Sequence, residues 1–357
     1  MRKKINIILS ILLPIQWIFI RWISNYPHQV ETYYSEGIYP KIAIILQTIF
    51  GWIPFSLGDI LYFFFGIWCI YMIYRLLKDK RRGIKTNLLR ITSALSILYF
   101  AFHFLWAINY YRPPLYYNLG LEATYTTEEL YTTTKKLIYN TNKLHNKLTI
   151  SDSIISSPYS KKEIRNIAFI GYKNVSEKIT PNIQPPQSIK NSLYSLPISY
   201  LGYGGYFNPF TGEAQINAKT PETLYAVIAT HEQAHQLGYA AENEANFIGV
   251  IASIQNPETF MQYAGYSYGL RYCLNELSRR DKELYNELYK TVAPGTLAMY
   301  KSHYEFWKKY DTPIEDISKF VWDKFLKVSK QKDGITSYSY IVALLVNYDK
   351  HNPTFFE

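Results

Sequence analysis

Three apolar stretches constrain this chain more than any other feature. Residues 5–23 are apolar apart from Asn6, Ser10, Gln16 and Arg21; residues 56–74 read "SLGDILYFFFGIWCIYMIY", and residues 91–108 read "ITSALSILYFAFHFLWAI". A helix of about 20 residues crosses the hydrocarbon core of a bilayer. Backbone in lipid must satisfy its own hydrogen bonds, so each stretch is expected as a membrane-spanning helix. The intervening "KIAIILQTIFGWIPF", residues 41–55, is too short to cross before Pro54 and is expected as an interfacial or re-entrant helix.

Charge then orients the spans. Arg2, Lys3 and Lys4 precede the first, and Arg75, Lys78, Lys80, Arg81, Arg82, Lys85 and Arg90 cluster between the second and third. These ten basic residues less Asp79 carry +9 of the formal +10. Basic residues confined beside apolar spans follow the positive-inside pattern, which makes the N-terminus cytoplasmic and everything beyond about Arg112 extracytoplasmic. The same confinement argues against a nucleic-acid patch, so no nucleic acid is expected as partner. The first span also resembles a secretory signal, but no small-x-small cleavage site follows in "RWISNYPHQ", so an uncleaved anchor is expected. The expected protein is a three-span membrane protein whose lipid contact accords with 17% aromatic and only 18% charged residues. Cys69 and Cys273 lie far apart and are expected as free thiols.

Residues 1–111 thus form a membrane domain, and residues 112–357 are long enough for a domain with its own core. Its pattern is predominantly α. Thr126-x-x-Glu129 and Ser160-x-x-Glu163 have capping-box spacing, and Leu130, Leu137, Leu144 and Leu148 recur as a core-facing helical stripe. Residues 181–187, "PNIQPPQ", read as an extended linker. A second helical block covers about 257–325, broken at "APGT", and the closing "SYSYIVALL" fits helix or strand. No internal repeat is visible.

The chemistry concentrates in "ATHEQAHQLGYAAENEANF", residues 229–247. Thr220 is placed to cap a helix whose first residue is Pro221. Leu224, Val227, His231 and His235 then follow one face, so both imidazoles project together and can share one Zn²⁺. Glu232 lies about 100° around that helix, beside the metal without ligating it, placed to take a proton from water. The residues between and around the histidines are apolar or uncharged, and neither Lys nor Arg interrupts residues 224–247, as a helix packed inside a cleft requires. An exposed polar helix would carry charges there.

Two histidines leave zinc short of its usual three protein ligands. Gly238 closes the first helix and another begins near Ala241. Glu242 shares a face with Ala245, Asn246 and Gly249, small or amide residues that permit close approach, and is the favoured third ligand. Glu244 is the alternative, although it shares a face with Phe247, Ile248 and Ile251. Asn246 could donate to the Glu242 carboxylate or orient a histidine. Upstream, Glu213, Gln215 and Asn217 alternate with Ala214 and Ile216 as in a half-buried strand of a hairpin, which could pair with an extended peptide and hold it across the metal. Tyr239, Tyr263, Tyr266, Tyr268 and His303 lie downstream as donors for a tetrahedral oxyanion, with none singled out.

His231-Glu232-Gln233-Ala234-His235 followed by Glu242-x-x-Ala245-Asn246 resembles the zincin metallopeptidases whose third ligand is a glutamate on the next helix. The seven-residue step from His235 to Glu242 is similar to metzincin spacing, in which histidine or aspartate stands at the position of Ala241. The wider pattern resembles an uncharacterised bacterial membrane family, domain-of-unknown-function 3810. It carries three spans, "GWIPFSLGDILY", "YFNPFTGEAQIN", the histidine core and the closing "SYSYIVALL". The resemblance implies a zincin-like extracytoplasmic domain with a small β element before the metal helix. By this analogy zinc binds His231, His235 and Glu242, Glu232 acts as general base, and the substrate is a peptide or protein of the cell envelope. A non-catalytic zinc-binding sensor or envelope scaffold and a cell-wall amide hydrolase are the competing functions. An intramembrane protease is excluded, because residues 221–237 contain Glu222, Thr223, Thr230, Glu232 and Gln233 and no long apolar run.

Overall fold

A computed structural model describes residues 2–78, 81–175, 179, 188–328 and 340–356. Asp79, Lys80, the linker at 181–187 and residues 337–339 of the closing motif lie outside the described residues. The chain is predominantly helical, and among the described residues three helices are long and apolar enough to cross a membrane: α1 (Arg2–Ile23), α4 (Leu57–Lys78) and α5 (Arg81–Leu105). Few of their side chains are buried by protein, which leaves apolar surface for lipid to cover. α1 and α5 run side by side in parallel. Ser10 lies 2.7 Å from the Thr92 hydroxyl, and Ile20 shares a cluster with Trp106.

Between them come α2 (Pro27–Gln29), a π-helical turn at Val30–Ile38 and α3 (Tyr39–Phe50). α3 buries Tyr39 and Ile42 and exposes Ile44, Ile45 and Ile49. The spans differ from the expected bounds at their ends. α4 continues to Lys78, where Arg75 and Lys78 donate to the hydroxyls of Tyr71 and Tyr74 one turn earlier. α5 stops at Leu105, before the expected Ile108. Trp106, Ala107 and Ile108 are drawn into a buried cluster, and Ala107–Tyr111 forms a 3₁₀ turn.

The helical remainder begins with α6 (Leu115–Asn118), α7 (Thr127–Leu148) and α8 (Lys161–Ala168). Both capping boxes form, at Thr126/Glu129 and Ser160/Glu163, so the starts of α7 and α8 are set by local sequence. Leu130, Leu137 and Leu144 are buried against α12 (Thr259–Arg280), while Leu148 is only partly buried. A short α9 (Ser195–Tyr200) lies within a small sheet region ahead of α10 (Glu222–Gln236) and α11 (Glu242–Ile254). These last two are buried along nearly their whole length. Their close packing depends on Gly249, where a Cβ would stand 2.9 Å from the His231 backbone nitrogen. α13 (Lys282–Tyr289), α14 (Pro294–Lys308), α15 (Pro313–Val328) and α16 (Ile341–His351) complete the chain, and Ile341–Leu345 of the closing motif is helical.

The sheet corrects one expectation. β1 (Ile189–Asn191), β2 (Gly205–Asn208) and β3 (Glu213–Ile216) are ordered β1-β3-β2, with β1 parallel and β2 antiparallel to β3. β3 is therefore the central strand, buried on both faces, and its backbone is already paired on both sides. Glu213, Gln215 and Asn217 cannot form the expected substrate-pairing strand. Their polar groups are spent internally. The Glu213 carboxylate accepts from Leu57 N at 3.2 Å and Gly58 N at 2.6 Å and pairs with the buried Lys190 ammonium. Gln215 donates to the Ser56 hydroxyl at 2.8 Å, and Asn217 donates to Ser199 Oγ and Tyr203 O. A carboxylate at the start of α4 satisfies unpaired helix N–H groups and complements the helix dipole. This network and Asp59, which accepts from Leu193 N at 2.7 Å and from the Tyr206 hydroxyl, fasten the start of the second span to the sheet.

Candidate functional site

α10 starts one residue later than expected. Pro221 has an extended ψ of 149° and is itself the N-cap, and the Thr220 hydroxyl donates back to Asn217 O instead of capping the helix. From Glu222 onward the face carrying Leu224, Val227 and Ile228 packs inward. It ends in His231 and His235, whose rings lie 4.8 Å apart and nearly perpendicular. His231, Glu232 and His235 each bring a ligand-type atom within 4.8 Å of the others. The first turn of α11 adds a closer one. One Glu242 oxygen lies 3.3 Å from His231 Nε2 and 3.7 Å from His235 Nε2. Donors about 2.0–2.1 Å from a tetrahedral ion lie about 3.3 Å from one another, and the Glu242 oxygen stands at or near that distance from each of the two histidine nitrogens.

Glu244 points elsewhere. Its Oε1 accepts from Leu115 N at 2.7 Å, tying the segment after α5 to α11, and burial raises its pKa to about 7. Of the two acidic candidates, only Glu242 faces the histidines. Asn246 does neither of the things expected of it. Its Oδ1 accepts from the Tyr268 hydroxyl at 3.2 Å, and its amide nitrogen is buried without a hydrogen-bond partner among the described residues.

Of the two histidines only His235 has its Nδ1 bonded, while His231 Nδ1 is buried without a hydrogen-bond partner among the described residues. His235 Nδ1 lies 2.7 Å from Tyr239 O, and since a carbonyl only accepts, Nδ1 carries a proton and Nε2 is the ring nitrogen that faces Glu242. The last turn of α10 is fixed from the membrane side: Trp106 Nε1 donates to His235 O at 2.9 Å and the Tyr39 hydroxyl to Gln236 O at 2.8 Å. Burial works against a charged His235, but the Glu242 and Glu232 carboxylates and the Tyr239 carbonyl outweigh it and lift the pKa to about 9. Burial likewise opposes ionised Glu242, yet His231 and His235 hold its carboxyl well below the usual range.

Glu232 has the opposite environment. It is 4% exposed, its Oε2 has no hydrogen-bond partner among the described residues, and burial lifts its pKa to about 7 against the pull of both histidines. A Cβ at Gly205 would stand 2.7 Å from Glu232 Oε1, so a glycine in β2 is what admits this carboxylate.

These residues open into a cavity of about 640 Å³ bounded by α10, α11, α12, β2, α15 and the C-terminal end of α5. A larger cavity of about 970 Å³ lies around Arg112 and Glu244 but contains none of His231, Glu232, His235 and Glu242, so the smaller one is the candidate site. β2 is an edge strand and lines this cavity, the position expected for residues 213–217. Of the tyrosines considered as donors, only Tyr268 lines it. Tyr239 donates to Ile179 O, Tyr263 bonds Thr296 and His303 bonds Thr223, all away from the cleft. Tyr203, Arg271 and Tyr272 also line the cavity; among 35 tyrosines no sequence signal distinguished them, and Arg271 sits in an ordinary helical pattern.

Neither the curated proteins nor the solved structures include a match to this chain. The family model that does match runs from residue 34 to 346, taking in two spans, the sheet and the histidine site, and the chain belongs to the family described as Protein of unknown function (DUF3810).

Proposed function

We propose that this protein is a membrane-anchored, zinc-dependent peptidase acting on peptides or proteins at the extracytoplasmic face. The observation that carries the reading is the Glu242 oxygen set 3.3 and 3.7 Å from the two histidine nitrogens, with the buried Glu232 carboxylate beside them in one cleft. His231, His235 and Glu242 would hold the ion. When bound, zinc would acidify water and polarise a carbonyl oxygen.

The remaining work belongs to the chain. Glu232 would accept a proton from the attacking water and return it to the leaving amine. Among the described residues β2 is an edge strand, to which an extended peptide could add beside Glu232, and this favours a peptide over a cell-wall amide. The extracytoplasmic placement rests on the basic residues Lys3, Lys4, Lys78 and Arg90, all toward the end of the spans remote from the site.

The test is to assay purified wild type and Glu232→Gln for metal and for cleavage of a peptide mixture. The reading expects zinc in both and cleavage only in wild type, by a factor of about 10²–10⁴. Equal cleavage by the two would remove Glu232 from the reaction, and a wild type free of zinc after reconstitution would end the reading.

A further inference from the structure

α15 has two apolar faces. One is inside: Trp322, Phe325 and Lys319 wall the cleft, Ser318 donates to the Tyr203 hydroxyl at 2.9 Å, and Leu326 is fully buried. The other is left uncovered among the described residues. Ile314, Ile317, Phe320, Val321 and Val328 are 55–77% exposed and cluster on the opposite side at helical spacing.

The placement of α15 says what covers this face. Phe325 packs against Phe102 and Tyr110, with ring centroids 6.2 and 5.8 Å apart. Phe102 stands in the last turn of α5 and Tyr110 in the 3₁₀ turn that follows it, and Phe100 and Phe104 turn exposed rings outward where the span meets lipid. The uncovered face of α15 thus begins where the lipid-covered face of α5 ends. A second set of exposed apolar residues continues the rim around the start of α4. Trp52 and Phe55 precede that helix, and Leu193 and Leu196 are held beside it through the Leu193 N to Asp59 bond. Lys324, on the outer face, lays its ammonium 5.3 Å from the Phe320 ring, the posture of a lysine whose stem follows apolar surface toward headgroups.

We propose that the outer face of α15 rests in the headgroup layer of the bilayer that holds the spans, so that this helix roofs the cleft from the membrane side. The inference rests on the spans and on α15, and holds whether or not the site hydrolyses anything. The cleft then opens beside the lipid surface.

The test uses the full chain, with Cys69→Ser and Cys273→Ala, in nanodiscs of phosphatidylethanolamine and phosphatidylglycerol. Spin labels are placed singly at Ile317→Cys, Val321→Cys and, as an aqueous control, Tyr139→Cys, which is 62% exposed on α7. Oxygen partitions into lipid and a nickel chelate into water. The proposal expects the oxygen-to-nickel relaxation ratio at 317 and 321 to exceed that at 139 several-fold. Nickel accessibility at 317 and 321 equal to that at 139 would overturn it. Dipolar broadening between labels that vanishes on dilution with unlabelled protein would also overturn it, by showing a second copy on this face.

Discussion

Glu242 places one carboxylate oxygen 3.3 Å from Nε2 of His231, although the two side chains belong to different helices joined through the Gly238 turn. Gly238 has φ of +88°, a conformation that glycine adopts without penalty, and it reverses the chain sharply enough for α11 to return along α10. The site is therefore a property of the α10–α11 pair and not of the histidine helix alone.

The first prediction separates the two glutamates. Glu242→Ala should lower zinc affinity by at least an order of magnitude, and His231→Ala/His235→Ala should abolish binding. Glu244→Ala should retain zinc but melt at lower temperature, because Leu115 N loses its acceptor. Metal content by mass spectrometry and melting of the same detergent-solubilised samples give both readouts. Full zinc in Glu242→Ala with loss in Glu244→Ala would reverse the assignment.

The second concerns the close packing behind His231. Gly249→Ala puts a methyl 2.9 Å from His231 N, 3.0 Å from its Cα and 3.2 Å from Thr230 C. These are backbone atoms, so the helices must separate. The expected cost is about 1–3 kcal/mol, together with weakened zinc binding as Glu242 withdraws. A variant that melts and binds metal like wild type would show that α11 has slack here.

The third tests how the second span is fastened. Lys190→Met leaves Glu213 buried without its cation, and breaking a buried pair in this way costs about 3–5 kcal/mol. Lys190→Met/Glu213→Gln removes both charges and should recover part of that loss. Thermal melts of the two variants decide the matter: a double variant no more stable than the single would mean that Glu213 is stabilised by the α4 N–H groups alone.

The parts of this architecture legible in the sequence were those with a local cause. The spans follow from composition, the starts of α7 and α8 from reciprocal caps, and the pairing of His231 with His235 from helical period. What escaped depends on partners far along the chain. Glu213, Gln215 and Asn217 alternate with apolar residues in the same way whether the polar face meets water or a helix terminus. Here it meets Leu57 and Gly58, more than 150 residues earlier. Trp106 reads as part of a span, yet its indole is drawn away by a carbonyl on α10. Glu242 and Glu244 both suit the first turn of a helix, and only the packing of α11 against α10 separates them.

The last prediction concerns acid. His303 is buried on α14 with Nε2 2.9 Å from the Thr223 hydroxyl, and burial, reinforced by the charge of Arg271, lowers its pKa to about 4. The unfolded chain takes up this proton near pH 6.5 and the folded one only near pH 4, so the unfolded state binds more protons between those values. Stability contributed by neutral His303 is therefore complete above about pH 6.5 and declines as pH falls toward 4. Between pH 6.5 and 5 the loss should be about 2 kcal/mol. His303→Gln keeps a hydrogen-bonding side chain near Thr223 but cannot charge in this range. Its melting temperature should lie below that of wild type at pH 7, and the gap should narrow or invert by pH 5. A gap constant across that range would place the acid-sensitive group elsewhere.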